Sequence, residues 1–158
     1  MSYQEPNARE RLGILQSSKT VAIVGVSSNR SRASYFVASY LKGGDYYKVY
    51  FVNPMIDTLF DQKVYNSLAE LPEVPDIVDV FRKASDTPGI LDEAIAIGIK
   101  TIWLQLGVSN AEVGERGRAA GLNVVMNRCL KIEHARFHGG LHLAGFNTGV
   151  ISSRRANS

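Results

Sequence analysis

Three stretches of the chain place polar and charged side chains where an anionic, partly aromatic ligand would need them. The first is Gly25-Val26-Ser27-Ser28-Asn29-Arg30-Ser31-Arg32-Ala33-Ser34, small and hydroxylated residues with two cations, set between a β-branched run and a helical pattern. Backbone N–H groups in such a turn point at an anion, and a phosphate at a helix N-terminus gains about 0.3 to 1 kcal/mol from the dipole, before hydroxyl and guanidinium bonds are added. The same residues also fit a capped surface turn, in which Ser27 and Ser31 satisfy the loop's own donors and the arginines are solvated. The second stretch is Phe81-Arg82-Lys83, a flat ring beside two cations, which suits an adenine and its phosphates or, equally, a core aromatic followed by a solvated loop. The third is Gln105-Leu106-Gly107, an amide in an apolar stretch that either meets a ligand or satisfies a backbone group.

Other residues are weaker candidates. Cys129 follows an apolar run and stands near Arg128 and Lys131, cations that favour a thiolate. No base and nucleophile pair accompanies it, so a buried inert thiol is the alternative to a redox, mixed-disulfide or acyl-transfer role. His134 and His138 are spaced to share a helical face, with His142 beyond Gly139-Gly140. A zinc site needs three or four ligands in fixed geometry, and the glycines argue against that, so no metal is expected.

Buried strands and helical crossovers must hold these groups. Thr20 to Val26 (TVAIVGV) is a continuous apolar run with no wet face, the pattern of a strand covered on both sides. Comparable runs at Tyr47 to Val52, Asp76 to Phe81, Thr101 to Leu106 and Asn123 to Met126 bring the expected total to five strands. Helical patterns lie between them: Asn7 to Gln16, Ala33 to Leu41 with a Gly43-Gly44 stop, a helix opened by Pro88, and one ending at Gly121 with Ser109 and Glu112 as its capping box. Ser67 and Glu70 repeat that device within a less regular connection from Pro54 to Pro75. Such alternation predicts an α/β, Rossmann-like, doubly wound three-layer sandwich with a five-stranded, mainly parallel sheet. Ligands in such sheets bind outside the carboxyl ends of the strands, where strand order reverses.

Length and composition agree with one domain over 1–158, its core about 18–138 and its tail 139–158 partly ordered. At 158 residues, 45% hydrophobic and 21% charged, the chain has an ordinary core and no low-complexity bias. A formal charge of +3 suits a phosphorylated ligand and is too small to argue for nucleic acid. The single cysteine, the polar start and the lack of any run near about 18 apolar residues point to a cytoplasmic protein with no membrane segment. A homodimer is the default for a small domain of this kind.

A dinucleotide fingerprint is missing. It needs G-x-G-x-x-G and an acid after the second strand for a ribose hydroxyl, whereas Gly25 stands alone and that strand ends Val52-Asn53-Pro54. An NAD(P)-binding oxidoreductase is therefore supported by the fold alone. Without an acid there, a ligand phosphorylated near its adenosine ribose meets no repulsion.

Taken in order, VAIVGVSSN, VNP at Val52 to Pro54, DIVDVFR at Asp76 to Arg82, WLQLG at Trp103 to Gly107 and RCLKIEHAR at Arg128 to Arg136 resemble the CoA-binding protein family. These are small bacterial and archaeal Rossmann domains related to the CoA-binding domain of the succinyl-CoA synthetase alpha subunit. The resemblance covers the chain from about Thr20 to Arg136. It implies coenzyme A or an acyl-CoA as ligand, its pyrophosphate over the loop from Gly25 to Ser34, including Val26, Ser27, Ser28, Asn29 and Arg32. The adenosine end would lie toward Val52, Asn53, Pro54, Phe81 and Arg82, and the pantetheine arm would run past Gln105 and Cys129. Ala33 departs from the family, which usually has proline before the serine matched by Ser34. With no general base beside a nucleophile, and no room for a phosphohistidine domain, the expectation is a carrier, sensor or regulatory module without catalytic residues.

Overall fold

The computed structural model describes residues 3–138. The chain runs α1 (Ala8–Ser17), β1 (Thr20–Val24), α2 (Ala33–Gly44), β2 (Lys48–Val52), β3 (Thr58–Leu59), β4 (Gln62–Tyr65), β5 (Ile77–Val80), α3 (Thr87–Ala96), β6 (Thr101–Leu104), α4 (Ala111–Ala119), β7 (Asn123–Val125) and α5 (Leu130–His138). Seven strands form one sheet in the order β3-β4-β2-β1-β5-β6-β7, parallel throughout except for the β3–β4 pair. The fold class agrees with the sequence; the strand count of five is corrected to seven.

The two additional strands lie in the stretch that reads as irregular. They are joined by Phe60 and Asp61, both at positive φ (52° and 57°), a pair of left-handed residues that suits a two-residue hairpin turn. Such turns usually announce themselves by Asn-Gly or Asp-Gly, and a phenylalanine in that conformation hides the signal. Phe60 is held there by packing against Tyr35, with ring centroids 5.0 Å apart.

Burial on both faces accounts for the apolar runs. All five residues of β1 are buried, and β1 pairs in register with β2 (Ile23 with Phe51) and β5 (Ile23 with Asp79). One face carries Val21, Ile23, Phe51, Ile77 and Trp103 against α1, α2 and α5, and the other carries Ala22, Val78, Val80 and Ile102 against α3 and α4. Several caps differ from the sequence reading. The N-cap of α4 is Asn110, whose side chain accepts from the Val113 amide at 3.3 Å, so the box at Ser109 and Glu112 is not formed. Ser67 precedes a single 3₁₀ turn and makes no side-chain cap. A complete capping box appears instead at α1, between Asn7 and Glu10. Helix α2 also continues through Gly43 and Gly44 and stops at Asp45, which takes the left-handed conformation at φ 56°.

A buried ion pair fixes α1 against α5. Arg11 Nε donates to Glu133 at 2.6 Å, and the same guanidinium donates to the Pro6 carbonyl at 2.8 Å. His134, predicted to share a helical face with His138, turns inward from α5, with Nδ1 2.8 Å from the Tyr40 hydroxyl and its ring stacked near Tyr46 and Tyr47. His142 and the tail 139–158 lie outside the described residues. Among the described residues no three His, Cys, Asp or Glu side chains converge on a metal position, and no helix is long and apolar enough to cross a membrane.

Candidate functional site

Strand order reverses at β1, which has β2 on one side and β5 on the other. The crevice over the carboxyl ends of β1, β5 and β6 encloses about 440 Å³, lined by Gly25, Ser27, Arg32, Ala33, Ser34, Phe81, Arg82, Lys83, Gln105, Leu106 and Val108. Larger hollows open elsewhere, of about 570 Å³ around Lys42, Lys48 and Lys63 and about 470 Å³ around Leu12, Leu15 and Phe137. Both lie toward the opposite, amino end of the strands, where this architecture does not place ligands. Position at the switch point outweighs size.

Gly25 allows the crevice to exist. Its φ of +82° is one that side chains resist, and a Cβ there would sit 2.5 Å from the Phe81 carbonyl oxygen and 2.7 Å from Arg82 Cδ. The loop after β1 is thereby pressed against the loop after β5. Asn53 braces the arrangement from β2: its Nδ2 donates to the Val26 carbonyl at 2.8 Å, and its Oδ1 accepts from the Met55 amide at 2.8 Å.

Both readings of the Gly25–Ser34 loop find something in its hydrogen bonds. The Ser27 amide donates to Ser34 Oγ at 2.9 Å, the Asn29 amide to Ser27 Oγ at 3.0 Å, and the Ser31 amide to Asn29 Oδ1 at 3.0 Å. These side chains shape the turn from within. The first-turn amides of α2 are different: Arg32 is the N-cap and makes no side-chain cap bond, and among the described residues nothing accepts from the Ala33 and Ser34 N–H groups. Two oriented donors, on exposed Ala33 and buried Ser34, are therefore left without a partner beside the crevice, at the positive end of a helix.

The cations add to that field. Arg82 Nη2 pairs with Asp86 at 3.1 Å on the surface, a contact that water weakens and an anion can replace. Arg32 and Lys83 line the same space. The two cations near Cys129 are committed elsewhere. Arg128 Nε pairs with Glu5, and Lys131 Nζ lies 5.8 Å from the Tyr40 ring centroid. Neither is directed to Cys129, which is half-buried against the core and does not line the crevice.

Of the predicted residues, the crevice gathers Gly25, Ser27, Arg32, Ser34, Phe81, Arg82 and Gln105. Val26 is fully buried behind the loop, Val52 is buried at the end of β2, and Ser28, Asn29, Asn53, Pro54 and Cys129 stand outside the lining. Lys83 and Leu106, named in the second and third stretches, line it too, and Val108 is the lining residue the sequence reading did not name. Its signal was adjacency to Gln105, since the first residues past a parallel strand share its rim.

A further group escapes the sequence pattern altogether. Asp79, inside the run Ile77–Val80, is fully buried, and neither carboxyl oxygen has a hydrogen-bond partner. Burial alone raises its pKa well above the ordinary value of 3.8.

Comparison with known proteins fits this geometry. The chain is 35% identical over 132 residues to the uncharacterized protein YneT of Bacillus subtilis, covering 84% of this chain and 97% of that one. It is 29% identical over 138 residues to the acetate–CoA ligase [ADP-forming] II of Archaeoglobus fulgidus, covering 85% of this chain and only 19% of the ligase. A hypothetical protein from Pyrococcus horikoshii OT3 superimposes with a TM-score of 0.81 at 33% identity, over 88% of this chain and all of that one. The model of the CoA binding domain matches residues 19–135, so the chain belongs to that family, a membership that supports CoA binding.

Proposed function

We propose that the chain binds coenzyme A, free or acylated, as one small carrier, sensor or regulatory unit, with the ligand's diphosphate over the loop between β1 and α2. The observation that supports this reading best is the pair of unpartnered amides at Ala33 and Ser34, beside a crevice lined by Arg32, Arg82 and Lys83. A diphosphate fits such a donor set because each oriented N–H and each guanidinium bonds to an anionic oxygen. In this reading Gly25, Val26, Ser27, Ser28 and Asn29 shape the cradle, and Arg32, Ser34 and Arg82 meet phosphate. Val52, Asn53, Pro54 and Phe81 flank the adenosine, and Gln105 and Cys129 lie along the arm.

Two features favour a binding module over an enzyme. The crevice joins cations, amides and an aromatic ring but no nucleophile with a base beside it. The ligase relative is also about five times longer than the matched segment, so its activity is not transferred with the domain.

Calorimetric titration with CoA, dephospho-CoA, NAD and NADP tests the proposal. Saturable heat with CoA, weakened when the 3′-phosphate is missing and small with NAD, is the expected result. Binding of NADP with no heat from CoA would overturn it.

A further inference from the structure

Asp79 occupies a defined place relative to the crevice. In the ladder it stands between Ile23 of β1 and Trp103 of β6. Two residues further along each strand, and so on the same face, come Phe81 and Gln105, both of which line the crevice. The ladder remains regular to that level, with the Phe81 amide donating to the Val24 carbonyl at 2.8 Å and the Gln105 amide to the Val80 carbonyl at 3.2 Å. The carboxyl group therefore lies one row beneath the crevice floor, about 6.6 Å along the strand.

That position is costly unless something uses it. A buried polar group without a partner is destabilising, and an apolar residue here would match Ile23 and Trp103 on either side. Phe81, the next residue on the same face, is only half-buried, whereas Ile23, Asp79 and Trp103 in the row beneath are fully enclosed. A protonated carboxyl offers one O–H donor and one carbonyl acceptor, which suits a neutral amide and not a phosphate.

We propose that Asp79 is the polar seat of an inner subsite beneath Phe81, which takes a neutral secondary amide of the pantetheine arm once the ring moves aside. The inference rests on the CoA reading above and adds a specificity-determining residue to it. Adenosine and diphosphate are held at the rim; the arm is selected below by a hydrogen bond from the acid to an amide carbonyl.

The test compares CoA with adenosine 3′,5′-bisphosphate, which lacks the arm, on the wild type, Asp79→Asn and Asp79→Leu. Replacing Asp79 by leucine is expected to weaken CoA about tenfold, the equivalent of one hydrogen bond, and to leave the bisphosphate unchanged. Asp79→Asn, which keeps a donor and an acceptor, should retain CoA affinity within about threefold. Infrared difference spectra give an independent readout: the Asp79 carboxyl band, assigned by its loss in Asp79→Asn, should shift when CoA binds and stay fixed with the bisphosphate. Unchanged CoA affinity in Asp79→Leu together with an unmoved band would overturn the subsite while leaving the CoA reading intact. A wild type that binds neither compound would remove both.

Discussion

The two ends of the sheet both carry polar side chains and use them differently. At the amino end the groups are paired off. Lys48 bonds Glu73 at 2.9 Å, Lys42 donates to Gln62 at 2.8 Å, the Lys19 amide donates to Asp76 at 2.7 Å, and Tyr47 donates to the Leu15 carbonyl at 2.7 Å. At the carboxyl end, among the described residues, the Ala33 and Ser34 amides have no acceptor and Arg32 and Lys83 make no ion pair. The larger hollow lies at the paired end. Volume therefore tells less about function here than unspent donors do, because a ligand gains most where the protein has not already satisfied its own groups.

Substitutions at the two ends can break this contrast, and the largest effect is expected at Gly25. Gly25→Ala forces a Cβ against the Phe81 carbonyl at positive φ, so it should destabilise the fold by about 2 kcal/mol or more and abolish measurable CoA binding. Thermal unfolding and calorimetry check both; an alanine variant with wild-type affinity would show that the close approach of the two loops is not needed.

Next comes the row beneath the crevice. Folded Asp79 holds its proton to a pH well above 3.8, whereas the unfolded chain releases it near that value. The folded state binds more protons in that interval, so stability falls as pH rises from about 4 until the folded group itself ionises. Asp79→Leu should gain about 1 to 3 kcal/mol at neutral pH and lose this slope. Urea unfolding at several pH values would reveal it, and parallel curves for variant and wild type would contradict it.

Arg82→Ala should weaken CoA by about 1 to 3 kcal/mol through a lost charge-assisted bond, with little change in stability because its pairing with Asp86 is exposed. Equal affinities would make Arg82 a bystander. At the amino end, Tyr47→Phe removes the bond to the Leu15 carbonyl and should cost about 0.5 to 1.5 kcal/mol of stability, with CoA affinity unaltered. A loss of CoA binding in that variant would blur the distinction between the two ends.

Much of this was legible in the sequence where a single physical rule decides. Runs such as Thr20 to Val24 are covered on both faces, as a short β-branched strand inside a parallel sheet is. The strand-end residues Gly25, Phe81, Arg82 and Gln105 followed from the same rule, since topology alone gathers them. What escaped depends on partners distant in the chain. The β3–β4 hairpin turns on a phenylalanine whose left-handed backbone is held by Tyr35. Arg128 reads as a neighbour of Cys129 but is drawn away by Glu5, more than a hundred residues earlier. Asp79 looked like one polar residue in an apolar strand, and nothing in its neighbours along the chain marks it as unpartnered.

The most direct test of the central claim is a ¹H–¹⁵N correlation experiment on the labelled protein titrated with CoA. The account predicts saturable shifts of the Gly25, Ala33 and Ser34 amides and of those at Phe81 to Lys83, while Lys19, Lys48 and Lys63 at the other end stay fixed. Shifts gathered around those lysines, with the Ala33 and Ser34 signals unmoved at saturation, would contradict it.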